Sequence, residues 1–295
     1  MGLATAPTAT AAGARAVSIV RIDKDGATPR TDAVAVEEPL EIQVSFEKRG
    51  VRAVRNVSVT MRTPGHDREL AAGFLFTEGV IDGPDAIEDW ETPASSAAGP
   101  AGGNTLRAVL RAGVAVDLRT LERHFYTTSS CGVCGKTSLE ALRVTGRIAL
   151  DPDRPVIDSA LVGTLPAALR AAQAIFDRTG GLHGAGLFDP EGTLLAVRED
   201  VGRHNAVDKV IGSQLISGTI PLAGHLLLVS GRASFELIQK AVMAGIPILA
   251  AVGAPSSLAV DLARQFGATL LGFVGPGRFN VYSGAQRIRP TQAGR

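Results

Sequence analysis

Cysteine is scarce in this 295-residue chain: there are two, Cys131 and Cys134, separated by only two residues. Two cysteines cannot build the disulfide scaffold of a small secreted domain, nor a self-contained four-cysteine metal site. Aromatics are scarce too, at 4% of a chain that is 45% hydrophobic. Aliphatic and small side chains must therefore fill the core, and at this length roughly 70% of the unfolded chain's surface can be buried without staples. Net charge is almost absent, +1 from 30 Lys and Arg against 29 Asp and Glu. That balance excludes a broadly basic polynucleotide binder and an acidic disordered chain. No apolar run reaches the roughly 20 residues that cross a bilayer, because Gly, Pro or charge interrupts each one. Residues 1–16 are small and Ala/Thr-rich, without the charged and apolar regions of a signal peptide. The expectation is a cytoplasmic protein with a disordered N-terminal extension over 1–16, and with no polynucleotide or membrane among its partners.

What is present is regular. After a break at Glu37-Glu38-Pro39, Leu40, Ile42, Val44 and Phe46 alternate, and so do Val57, Val59 and Met61. This pattern predicts two half-buried antiparallel strands with a turn near Arg49-Gly50. The spacing of Leu70, Phe74 and Leu75 predicts a helix over 66–78, stopped by Gly79. Residues 81–103, rich in Ala, Ser, Pro and Gly, read as a loop, and 105–116 as a further pair of strands. A helix is expected over 165–179, closing at Gly180-Gly181, then a hairpin over 184–197 and a helix over 205–215. Short apolar runs at 226–229, 247–252 and 269–274 alternate with helical stretches at 233–244 and 256–266. That is the βαβ pattern of a parallel or mixed sheet with helices on both faces, and ligands of such sheets gather beyond the strands' carboxyl ends.

Four clusters carry chemistry. Cys131-Gly-Val-Cys134 lies between Thr127-Thr128-Ser129-Ser130 and Gly135-Lys136. The spacing permits a disulfide, a shared metal completed by histidines from elsewhere, or a nucleophile with a resolving neighbour; two buried thiols are the plain structural alternative. His183 follows Thr179-Gly180-Gly181 and could bind, shuttle a proton or serve structure. The run Arg198-Glu199-Asp200-Val201-Gly202-Arg203-His204-Asn205 continues to Asp208-Lys209. It reads either as an ion-pair network or, with Asn205 as helix cap, as an anion site that sets Arg203 and His204 at a helix N-terminus. Ser230-Gly231-Arg232-Ala233-Ser234 forms a glycine-containing turn after a strand, and Gly253-Ala254-Pro255-Ser256-Ser257 repeats it one unit later. With Arg278 and Asn280 these turns suggest a crevice for an anionic ligand.

Together the motifs resemble the FdhD family, sulfurtransferases needed to make active formate dehydrogenase. The resemblance runs from about Glu37 to Arg289. It rests on Asn56-Val57-Ser58-Val59-Thr60-Met61-Arg62-Thr63-Pro64-Gly65, on Glu69 to Gly79, on the cysteine pair and on Thr179-Gly180-Gly181-Leu182-His183. The runs REDVGRHNAVDKVIG at 198–212 and SGRASFELIQKAVMAGIPILAAVGAPSSLAVDLA at 230–263 complete it.

The resemblance implies a job, a fold and a site. The job is to accept persulfide sulfur from a cysteine desulfurase. The carrier then sulfurates molybdenum bis(pyranopterin guanine dinucleotide), a bound substrate, on behalf of the formate dehydrogenase catalytic subunit. Cys131 takes the role of persulfide carrier, with Cys134 assisting or sharing it. The cofactor-binding crevice includes Phe273-Val274-Gly275-Pro276-Gly277-Arg278, and His183, Arg203, His204, Ser230, Gly231 and Arg232 are its further candidates. The fold is α/β (α+β mixed), a cytidine deaminase-like three-layer sheet domain at 139–280 with a second, smaller β-rich part at 17–125. A mobile Cys-x-x-Cys loop at 126–138 separates the two, and 281–295 forms a basic C-terminal tail. No resident metal is expected: no His-x-Glu precedes the cysteine pair as zinc-dependent deamination requires. A homodimer is an expectation without a sequence feature of its own. The competing functions are a non-covalent molybdenum-cofactor insertion chaperone and a thiol redox protein.

Overall fold

The computed structural model describes residues 13–93, 104–114, 116 and 149–291. Cys131, Cys134 and the loop expected at 126–138 lie outside the described residues. The first element is an antiparallel hairpin of β1 (Ala14–Asp23) and β2 (Gly26–Ala35). Residues 14–16, expected to belong to a disordered extension over 1–16, are therefore strand. Charges at Arg15, Arg21 and Asp23 dilute the alternation that marks β1.

β3 (Glu38–Lys48) and β4 (Val51–Arg62) form the next antiparallel pair. Their two-residue turn has Arg49 and Gly50 both at positive φ, 53° and 77°, the left-handed pair that matches strand twist. Leu40, Ile42, Val44 and Phe46 are all buried as their alternation predicts. β4 departs from expectation. Ile42 pairs with Ser58 but Gln43 pairs with Asn56, so Val57 is an extra residue. Such a bulge reverses which alternate side chains face inward. Val57 is buried, whereas Val59 and Met61 are 61% and 46% exposed. The four-stranded sheet is completed by β6 (Thr105–Leu110), parallel to β3, and β5 (Ile87–Glu91), antiparallel to β6. β5 corrects the loop expected over 81–103, where buried Ile81 also joins the core. Of the strand pair expected over 105–116, β6 alone is a strand among the described residues. α1 (Asp67–Thr77) lies against this sheet and ends as predicted, with Gly79 at φ 72°.

β7 (Ile157–Asp158) and α2 (Ser159–Val162) lead into α3 (Leu165–Ala172) and α4 (Ala174–Thr179). The single helix expected over 165–179 is broken at Gln173, whose ψ of 77° is not helical. The Glu199 carboxylate accepts N–H groups from Ile175 and Phe176, at 2.9 and 2.7 Å, and so starts α4 afresh.

The larger sheet has the order β13-β12-β11-β10-β8-β9. β8 (His183–Phe188) and β9 (Leu194–Asp200) form the predicted hairpin, and α5 (Arg203–Ile216) follows. β10 (Leu226–Val229), α6 (Phe235–Met243), β11 (Ile248–Ala251), α7 (Ser257–Gln265) and β12 (Thr269–Gly275) are the predicted βαβ units, with all three strands parallel. β13 (Arg278–Ser283) returns antiparallel at the edge. Alternate residues of the central strands face opposite ways. Leu227, Val229, Leu249 and Ala251 join α1, α5 and α6 in the larger core, which extends to the four-stranded sheet. Leu226, Leu228, Ile248 and Ala250 pack with Leu165 and Leu169 of α3. Helices therefore cover both faces of this sheet, giving a mixed α/β molecule with two sheet regions.

The tail expected over 281–295 is part of the fold as far as residue 291. β13 runs to Ser283, and β14 (Ile288–Arg289) pairs in parallel with β7. Arg287 is fully buried and donates to the carbonyl oxygens of Asp151, Arg154 and Gly267 and to Thr269 Oγ1. Its guanidinium thus finishes the carbonyls of two loops, which basic composition alone does not show. No helix among the described residues is long and apolar enough to cross a membrane.

Candidate functional site

Strand direction assembles the site. β10, β11 and β12 are parallel, so their carboxyl ends share one edge. β8 is antiparallel to β10, which brings its first residue, His183, to that same edge. β9 reverses again and delivers Asp200 opposite His183, from where the chain turns into α5.

The turns after the strands are stitched to one another. Gly184 N donates to Ser230 Oγ and Ser230 N to Gly184 O, both at 2.9 Å. Gly253 N donates to Gly231 O at 2.9 Å, and Phe273 N to Gly253 O at 3.1 Å. The ladder thus continues past the strands, from Ser230-Gly231 through Gly253 to Phe273. A Cβ on Gly253 would stand 3.0 Å from Gly231 O and 3.1 Å from Arg232 Cα, a tight fit that glycine relieves. The His183 ring lies over Gly231, where a Cβ would be 3.4 Å from Nδ1.

Most charges of the 198–209 run are internal fasteners. Arg198 forms a two-armed contact with Glu69 of α1, at 2.5 and 2.8 Å. Burial pushes the Glu69 carboxyl up, but Arg198 and then His66, at 3.1 Å, outweigh it and hold the group below its usual value. Asp200, fully buried, sits 2.7 Å from Lys209 Nζ and accepts N–H groups from Thr63 and Gly202. Lys209 also donates to Thr63 O at 2.8 Å, while Val201 N donates to Thr63 Oγ1. Asp208 and Glu78 each lie 3.0 Å from Lys240 of α6. Burial lowers the affinity of Lys240 for its proton, yet Asp208 and Glu78 prevail and raise it above the ordinary lysine value. The ion-pair reading therefore holds for these residues.

Asn205 is not the cap of α5. Gly202 occupies that position, and Asn205 stands inside the first turn. Its amide donates to Met61 O at 2.8 Å and Asp200 Oδ1 at 3.0 Å, so it ties β4 to the turn instead.

The residues left over lie at the edge where the strand ends meet. Arg203 and His204 open α5 as predicted, and the buried Nε of Arg203 has no hydrogen-bond partner among the described residues. His204 Nε2 lies 3.2 Å from Ser234 Oγ and 3.8 Å from Glu236, at the start of α6. Burial, helped by Lys240 and Arg203, lowers its pKa to about 4. His183 is lowered by burial and by Arg203, with Asp200 opposing. Both imidazoles are thus neutral at pH 7, and each keeps one donor and one acceptor nitrogen. Arg232 is exposed beside them.

The 273–278 segment closes the far end of the edge. Phe273 is 48% exposed at φ 54°, a left-handed conformation unusual for a non-glycine residue. Val274 points the other way and is buried in the smaller core. Pro276-Gly277 makes the two-residue turn, with Gly277 at φ 72°, and leaves Arg278 exposed. One edge therefore brings together His183, Arg203, His204, Ser230, Gly231 and Arg232, and the backbone ladder extends it to Phe273. Among the described residues no group of three or more His, Cys, Asp and Glu is placed to hold a metal. Thr63 and Lys240 were not expected in this role. Buried charge inside a polar run was the available signal for Lys209, whereas Lys240 sits in an ordinary amphipathic helix.

A family model described as the FdhD/NarQ family matches residues 35–289. The chain is 52% identical to sulfur carrier protein FdhD of Streptomyces avermitilis over 274 residues, 92% of this chain and 94% of the relative. It is 49% identical to the protein of that name from Mycobacterium tuberculosis over 271 residues, covering 90% and 95%. Among solved structures, a formate dehydrogenase accessory protein from Desulfotalea psychrophila superposes with a TM-score of 0.70 at 26% identity. That match covers 94% of this chain and all of the other.

Proposed function

The chain belongs to the FdhD/NarQ family and is a sulfur carrier in formate dehydrogenase maturation, and we propose that its neutral-histidine edge receives the phosphate-rich cofactor to be sulfurated. The observation that carries this reading is the convergence of His183, Arg203, His204 and the Ser230–Arg232 turn at the carboxyl ends of parallel strands. A bis(pyranopterin guanine dinucleotide) substrate has four phosphate groups. It needs a few aimed guanidinium and backbone donors more than a high net charge. Arg203, Arg232 and Arg278 supply the charge, and the turns at Gly231, Gly253 and 275–277 let backbone approach closely. We read the β8–β9 hairpin followed by three parallel strands as a cytidine deaminase-like domain at 139–280, and 17–125 as the smaller β-rich part.

Sulfur moves in two balanced steps. The Cys131 thiolate attacks the outer sulfur of a cysteine desulfurase persulfide, and the desulfurase cysteine leaves as thiolate. Cys131 then carries the sulfane sulfur. Attack of the Cys134 thiolate on Cys131 Sγ forms a disulfide and expels hydrosulfide, the form in which a metal accepts sulfur. A dithiol reductant returns the pair to thiols. The formate dehydrogenase catalytic subunit is the acceptor of the finished cofactor.

Intact-mass measurement after incubation with a desulfurase and cysteine tests the reading. Each sulfur accepted adds about 32 Da, removable by reductant. Cys131→Ala should abolish the adduct and the rescue of formate dehydrogenase, with guanine nucleotide affinity retained. A double Cys131→Ala/Cys134→Ala chain that still supports rescue would make the protein a non-covalent chaperone.

A further inference from the structure

The β3–β4 hairpin ends in a cluster of one charge sign. Lys48, Arg49, Arg52 and Arg55 fall within eight residues of a chain whose net charge is only +1, and all four are exposed. Arg52 is answered: it stands opposite Glu47 in the ladder, lies 3.5 Å from Glu88 and donates to Leu110 O at 2.8 Å. Lys48, Arg49 and Arg55 have no acidic partner among the described residues. Exposed Arg111 adds a further cation just past the end of β6, at the same end of the sheet.

Pairing sets these cations on one surface. Lys48 is opposite Val51 and Arg55 opposite Val44, so Lys48, Val51 and Arg55 share a face, with Arg49 at the turn beside them. Val51 is 67% exposed and Val54 38%, which gives the cluster apolar area for a protein surface to cover. β4 is an edge strand, and charge on such an edge blocks unwanted pairing. That need is met by Glu as well as by Lys, so it does not account for the single sign.

The tip is remote from the cofactor edge. β4 runs twelve residues away from it, on the order of 35 Å at ~3.3 Å per residue. Beyond that strand Thr63 N donates to Asp200, which lies opposite His183. The chain that carries Cys131 and Cys134 leaves the sheet at the tip's end, because β6 is parallel to β3, with Ser45 opposite Val109. After the cysteines, Asp151 is tied by Arg287 to the carbonyl of Gly267, just before β12. That too is away from the strands' carboxyl ends.

We propose that this tip docks an acidic surface of the cysteine desulfurase, whose attraction to Lys48, Arg49 and Arg55 brings the donor persulfide to the cysteine pair. The proposal rests on the sulfur-carrier reading above. Donor and cofactor then approach opposite ends of β4 and do not compete for one surface. The transfer is the thiolate exchange already described, and the tip changes only how fast the donor arrives.

Persulfide loading of the full chain from two donors, at low and high salt, tests the proposal. With the cognate desulfurase and cysteine, Lys48→Glu/Arg49→Glu should load about tenfold more slowly than the wild type at about 50 mM salt. At about 0.5 M salt, where the Debye length is only a few ångströms, the two rates should converge. Cysteine persulfide is too small to touch the tip and a thiol together, so it should load both chains equally at either salt. Arg21→Glu/Lys24→Glu makes the same charge change in the exposed β1–β2 hairpin and should load from the desulfurase like the wild type. Both tip side chains are exposed, so thermal unfolding should also match. A photo-crosslinking side chain at position 51 should label an Asp- or Glu-rich stretch of the desulfurase. Equal desulfurase loading of tip variant and wild type, equal slowing by the β1–β2 variant, or no desulfurase labelling from position 51 would each overturn the docking site and leave the carrier reading standing. A wild type that takes sulfur from neither donor would overturn both.

Discussion

Gly73 of α1 and Gly212 of α5 face each other with no side chain between the two helices. A Cβ on Gly73 would fall against Asp208 O and 2.9 Å from Gly212 N, and one on Gly212 would fall against Glu69 O and 2.7 Å from Gly73 N. The helices thus touch backbone to backbone, which lets Thr77 and Glu78 reach the Asp208–Lys240 pair.

Either glycine replaced by alanine must part the helices. Gly73→Ala and Gly212→Ala should each cost about 1–3 kcal/mol or more of unfolding free energy, as overpacking does. The double variant should cost less than their sum, because a gap opened by one methyl admits the other. Urea unfolding of the four species checks this; full additivity would mean that the helices do not share a contact.

The Asp200–Lys209 pair is buried on both sides and shared with Thr63. Lys209→Met leaves the buried Asp200 carboxyl without its partner and should cost about 3–5 kcal/mol, the scale of a broken buried pair. Asp200→Asn/Lys209→Met removes both charges and should recover part of that loss. Denaturation of the single and double variants reads the difference, and a double variant less stable than Lys209→Met would refute the charge argument.

His204 should respond to acid. Its folded pKa of about 4 lies below the ordinary 6.5, so between those values the native state binds fewer protons than the unfolded chain. Its contribution is intact above pH 6.5 and is lost as the pH falls towards 4. Because the imidazole is 37% exposed, solvent screening limits the loss to on the order of 1 kcal/mol. His204→Gln should flatten that part of the stability–pH curve. Lys240→Met, which removes the neighbouring ammonium, should raise the His204 titration midpoint seen by NMR.

Much of this arrangement was legible from periodicity. The βαβ units at 226–275 have both short β-rich apolar runs and glycine stops, so alternation and punctuation agree. The failures have local causes. At β4 a single inserted residue, Val57, reverses the phase of an otherwise regular pattern. At Gln173 a carboxylate from β9 restarts a helix that its own sequence would continue. β5 hides in a Pro- and Ser-rich stretch because its pairing partner, β6, lies more than a dozen residues away. The site was legible as motifs, but not its division of labour: within 198–209, nothing in spacing separates Asp200, which is locked to Lys209, from Arg203, whose buried Nε has no hydrogen-bond partner among the described residues.

Phe273 separates conformational cost from ligand binding. Its left-handed backbone costs about 1 kcal/mol in a non-glycine residue, yet it presents a half-exposed ring at the end of β12. Phe273→Gly removes the strain and the ring together, whereas Phe273→Leu keeps the strain and removes only the ring. If the ring stacks on a guanine base, both variants should bind GDP, used as a probe of the cofactor's nucleotide, about 1–3 kcal/mol more weakly. Stability should nevertheless stay level or rise for Phe273→Gly, and not for Phe273→Leu. Arg278→Ala should weaken GDP on a similar scale through a lost charge-assisted contact, and salt should diminish that effect while sparing the Phe273 variants. Calorimetric titration at two ionic strengths distinguishes the two contributions. GDP affinity unchanged in all three variants would place the nucleotide away from the 273–278 segment, and the crevice would then begin at Gly253.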